Sequence, residues 1–78
     1  MNQTELLYAM ALTLFEGVGN INAKKLLAYC GSFHGIFESN KGKLFQIPGI
    51  GAVLSSSISQ QIDSGIALKR AEEEMEFI

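Results

Sequence analysis

Seventy-eight residues, 47% of them apolar and 18% charged, make one domain with a single core and exclude a disordered tail or a low-complexity array. The net charge of −2 is unevenly spread: up to residue 71 six cations face four carboxylates, and Glu72, Glu73, Glu74 and Glu76 then follow. A mildly basic body with an acidic end neither demands nor excludes nucleic acid, because binding follows local charge and not the total.

Thr4 is placed to cap a first helix whose apolar positions Leu6, Leu7, Met10, Ala11 and Leu14 recur at three-four spacing and which ends at Gly17. Asn20 offers a second N-cap, and Ile21, Ala23, Leu26, Leu27 and Cys30 carry the helical period to a stop at Gly31. Ser32 opens a short third helix with Phe33, Ile36 and Phe37, punctuated by Ser39 and Asn40. A fourth helix from about Asn40 to Gln46 is expected to bury Leu44 and Phe45, and Pro48 then biases Ile47 out of the helical region. Beyond Gly51, the positions Val53, Leu54, Ile58 and Ile62 mark a fifth helix, which Gly65 bends or ends. Ile66, Leu68, Ala71, Met75, Phe77 and Ile78 keep a partly helical pattern to the last residue. The apolar Phe77 and Ile78 lead us to expect a further domain after them, the alternative being a natural terminus docked on its own core.

Self-comparison shows an internal repeat. Gly17-Val18-Gly19 superposes on Gly49-Ile50-Gly51, bringing Leu12 onto Leu44, Phe15 onto Ile47, Ala23 onto Ser55 and Leu26 onto Ile58. The expected fold is therefore all-α: a paired helix-hairpin-helix domain, residues 1–78, of about five short helices with a pseudo-two-fold repeat. The glycines allow backbone angles that a side chain forbids, so one helix starts almost where the last one ends. Val18 and Ile50 would pin each turn to the core, while Ala23 and Ser55 are small where paired helices cross. The outer face of such a turn presents unpaired amides at a helix N-terminus, where the helix dipole also favours an anion.

On that logic the candidate phosphate-binding residues are Gly17, Val18 and Gly19 with Asn20, Asn22, Lys24 and Lys25 at the first turn. At the second they are Gly49, Ile50 and Gly51, with Ser55 and the hydroxyls of Ser56 and Ser57. Glu16 repels phosphate at the first turn, and no cation follows closely after Gly51, although Lys41 and Lys43 precede that turn. With a log–log salt slope of about −0.9 per neutralised phosphate, two to four contacts amount only to weak, sequence-independent binding. Such binding matters as an addition to another site. The competing reading makes both turns plain helix connectors with solvated lysines, in a structural or protein-interaction module.

The remaining residues carry less. His34 is the lone histidine, without a cysteine or second histidine at ligand spacing, and reads as a surface or helix-packing residue; no metal or cofactor is implied. Cys30 is the only cysteine, which excludes an internal disulfide, fits a reducing cytoplasm and reads as a small core residue. Tyr8, Tyr29, Phe33 and Phe37 are assigned to the core by their spacing beside Leu and Ile, and the closing glutamates to a solvated helix face. Leu6 to Phe15 is too short to span a bilayer and Glu5 precedes it, so neither a membrane span nor a secretion signal is expected. With no nucleophile–base pair, no paired acids on a defined face and no Walker-type loop, the chain reads as a non-enzymatic module.

Several segments, taken in order, resemble the N-terminal region of bacterial DNA-processing proteins of the DprA (Smf) family: Leu6-Leu7-Tyr8, Ala11-Leu12, Gly17-Val18-Gly19, Ala23-Lys24-Lys25-Leu26-Leu27, Cys30-Gly31-Ser32, Ile47-Pro48-Gly49-Ile50-Gly51 and Ala71-Glu72-Glu73-Glu74. The resemblance covers nearly the whole chain. It implies a cytoplasmic protein that binds incoming single-stranded DNA during natural transformation and helps load the RecA recombinase. It also implies that the main single-strand site lies in a Rossmann-like domain after Ile78, and it leaves open the role of the helical, SAM-like N-terminal extension that this chain matches.

Overall fold

The computed structural model describes residues 2–76 and folds them as six α-helices, with no strand among the described residues. They are α1 (Gln3–Thr13), α2 (Gly19–Cys30), α3 (Phe33–Phe37), α4 (Lys41–Phe45), α5 (Gly51–Ser64) and α6 (Ile66–Glu76). The all-α expectation holds, and the count rises from about five to six because Gly65 ends α5 outright. It adopts a left-handed φ of 71° and donates its amide to Ile62 O. Phe77 and Ile78 lie outside the described residues.

Local chemistry explains where the helices begin. Asn2, not Thr4, caps α1, its Oδ1 accepting from Glu5 N at 2.7 Å; asparagine outranks threonine in this role and Thr4 falls inside the first turn. Ser32 opens α3 as the sequence suggests, its Oγ accepting from Gly35 N at 2.9 Å, and Asn40, read from the sequence only as punctuation and the approximate start of a helix, caps α4, its Oδ1 accepting from Lys43 N at 2.8 Å. A fourth cap comes from far along the chain. The Glu5 carboxylate accepts from Phe33 N and His34 N, both at 2.9 Å, and so fastens the first turn of α3 to α1. Asn20 caps nothing: α2 begins at Gly19, with Val18 as its N-cap and no side-chain cap at all.

The core is drawn evenly from the two halves of the repeat. Leu12, Phe15, Val18 and Leu26 from the first meet Leu44, Ile47, Ile50 and Ile58 from the second, all buried, with Ala11 of α1, Ile36 of α3 and Ala67 and Ala71 of α6 completing it. Tyr8 and Phe37 pack with ring centroids 4.9 Å apart, and Phe37 meets Phe15 edge-on at 5.3 Å. Several apolar residues expected on inner faces turn outward: Ile21 is 73% exposed, Val53 86%, Phe45 57% and Tyr29 47%, with Leu6 and Ile66 exposed as well. Each belongs to a helix whose buried stripe is narrower than its apolar content, because in so small a domain each helix meets few neighbours.

Tertiary packing departs from a simple pair of hairpins. α1 runs against α6 and α3, α2 against α3, α4 against α5, and α5 against α6. The acidic helix is thus part of the fold, with Ala67 and Ala71 turned to the core and Glu72, Glu73, Glu74 and Glu76 to solvent. No helix among the described residues is long and apolar enough to cross a membrane.

Candidate nucleic-acid interface

The two glycine turns share one backbone. Gly17 and Gly49 have φ of 79° and 87°, Gly19 and Gly51 of 68° and 74°, and between them Val18 and Ile50 keep φ of −83° and −84°. Phe15 N donates to Leu12 O and Ile47 N to Leu44 O, each at 3.1 Å. A residue with a Cβ at the left-handed positions costs roughly 1–2 kcal/mol. The alternation of left- and right-handed backbone drives the middle apolar side chain inward, where Val18 and Ile50 are both buried. It leaves Gly17, Gly19 and Asn20 at the first turn, and Gly49, Gly51 and Ala52 at the second, on the exposed outer side at the start of α2 and α5.

Around the first turn the protein binds itself. Gln61 of α5 reaches across to Glu16, its Oε1 accepting from Glu16 N at 2.9 Å and its Nε2 donating to Glu16 O at 3.1 Å. Nε2 lies 3.2 Å from Ser57 Oγ on the same helix, which holds the amide in that orientation. The Glu16 side chain stands exposed in a cleft that it shares with Arg70 of α6, so the turn carries offsetting charges and not a basic face. Gly17 itself has open space beside it.

The second turn is supplied with a cation from the other half of the repeat. A Cβ built on Gly49 would stand 2.7 Å from Lys25 Nζ, so the ammonium of α2 lies directly over this glycine. Lys25, Ala28 and Tyr29 of α2 form an open groove of about 420 Å³ with Ile47 and Pro48. The sequence shows no cation close after Gly51, and spacing along the chain gave no sign of this one, because Lys25 arrives through the tertiary fold.

The predicted residues are therefore sorted, not gathered. Lys25 joins Gly49, Ile50 and Gly51. Lys24, its neighbour, points elsewhere and lines a second groove with Asn20, Ala23, Leu27 and Phe33 beside the first turn. Ser55 is withdrawn from the candidate ligands: it is fully buried and its hydroxyl donates to Gly51 O, a small side chain satisfied within its own helix. The Ile50 amide is used by Ile47 O at 3.2 Å. Ala23 is only half-buried, since α1 leaves the first turn toward α6 and α3 and does not lie along α2. Tyr29, assigned to the core from its spacing, is a surface residue at the second turn. His34 pairs with Glu38 at 2.9 Å and packs on the Tyr8 ring, and Cys30 is half-buried with its Sγ 3.5 Å from Ser39 Oγ. Among the described residues no three His, Cys, Asp or Glu side chains come together to hold a metal ion. No protein-family model, curated protein or solved structure matches the chain.

Proposed function

We propose that this domain is the accessory helical N-terminal module of a cytoplasmic, DprA-like DNA-processing protein that acts with RecA in natural transformation, and that it adds weak, sequence-independent contacts to the DNA backbone. The single observation that supports the contact is the Lys25 ammonium lying over Gly49 at the exposed start of α5. An anion there meets a cation, open backbone amides and the positive end of a 14-residue helix together. At the first turn Glu16 and the Gln61 clamp work against the same use, so the contact is assigned to the second turn, with Lys24 contributing only through its general charge.

The test is amide shift perturbation with an oligonucleotide at low salt. Shifts at Gly49, Gly51 and Ala52 that fade as salt rises, together with a log–log salt slope that falls by about one in Lys25→Glu, support the proposal. Silence at those amides overturns it. A second reading, in which both turns serve the fold alone, draws on the Gln61 clamp at Glu16; it expects that silence, together with loss of stability when the clamp is cut.

A further inference from the structure

The repeat offers an internal control for what each surface residue does. The positions that flank the first turn correspond one for one to those that flank the second: Glu16 to Pro48, Ser57 to Lys25 and Gln61 to Tyr29. On the first turn all three residues are committed to one hydrogen-bonded brace. On the second, an acid becomes a proline, a hydroxyl becomes an ammonium, and the bracing amide becomes an aromatic ring that braces nothing. Among the described residues the aromatic pairs involve Tyr8, His34, Phe15 and Phe37, not Tyr29, a residue 47% exposed at the edge of the groove.

We infer that the groove between Tyr29 and Pro48 is a subsite for one unpaired nucleobase, stacked on the Tyr29 ring while Lys25 and the Gly49 turn hold the adjoining phosphate. A ring set beside a cation on a mostly apolar floor of Ala28, Ile47 and Pro48 matches a nucleotide's own division into flat base and charged backbone. A paired base cannot enter, because its faces are already stacked within the duplex. The groove thus makes the module discriminate single strands from duplexes, through α2 and the second turn, without reading sequence. This inference rests on the backbone contact proposed above and adds to it a role for the base.

The probes are a fluorescein-labelled oligothymidine of about ten nucleotides, an abasic strand of the same length and a duplex of the same length, titrated at low salt with anisotropy as the readout. The intact chain is expected to bind the thymidine strand at least about fivefold more tightly than the abasic one, Tyr29→Ala to abolish that difference, and Tyr29→Phe to keep it. Tyr29 ring resonances should shift upfield with the thymidine strand only. If Tyr29→Ala binds the thymidine strand as the parent does, or if the abasic strand binds equally well, the stacking inference falls while the backbone contact stands. If no probe moves the Gly49 and Gly51 amides, both fall.

Discussion

The two glycine turns have nearly the same backbone, with φ of 79° and 87° at the first glycine and 68° and 74° at the second, and opposite surroundings. The first connects an 11-residue helix that leaves to pack on α6 and α3, and it is clamped from the far side by Gln61. The second connects a 5-residue helix packed on α5, and it is overhung by Lys25 and Tyr29 with no clamp. Identical turns in one domain therefore need not share a role. The inner faces of both are constrained by a common core, which keeps the glycines and the residues between them alike. The outer faces are free of that constraint, so one is built into the fold and the other is left open.

The comparison can be broken most forcefully at the core. Leu26 and Ile58 occupy matching positions and are both fully buried, so Leu26→Ala and Ile58→Ala should each lose about 2–5 kcal/mol in urea denaturation. A loss confined to one of them would show that the halves do not share a single core. Next come the turns themselves: Gly17→Ala and Gly49→Ala should each cost roughly 1–2 kcal/mol, since both hold left-handed backbone. Only Gly49→Ala should also displace the Lys25 ammonium, visible as a shift of its side-chain NMR signals. Cutting the brace with Gln61→Ala removes two hydrogen bonds to Glu16 and should cost about 1 kcal/mol in thermal melts. The smallest effect belongs to the matching position, where Tyr29→Ala should stay within about 0.5 kcal/mol of the parent, as expected of a half-exposed side chain that forms no hydrogen bond or aromatic pair among the described residues. A large loss there would make Tyr29 a second brace and erase the proposed difference between the turns.

Much of this architecture was legible along the chain because its causes are local. Left-handed glycines, buried Val18 and Ile50, the helix start at Ser32 and the Gly31 stop all follow from backbone sterics and short-range hydrogen bonds. The duplicated pattern Leu12, Phe15, Leu26 against Leu44, Ile47, Ile58 marked the core correctly, since an apolar stripe at helical period has to be covered. Local reasoning failed where a residue's partner is distant. Asn20 looked like a cap and is none, Tyr29 and Phe45 looked buried and are exposed, and Ser55 looked available and is enclosed.

By itself, then, the sequence determined an all-helical domain with two equivalent glycine turns, because the period of its apolar residues and the angles open only to glycine leave few other folds. Only the tertiary structure decided that the turns have unequal surroundings. Which helix overhangs which turn depends on how the two halves pack together, and that packing carries Gln61 to Glu16 and Lys25 to Gly49 over separations in the chain that no local pattern spans.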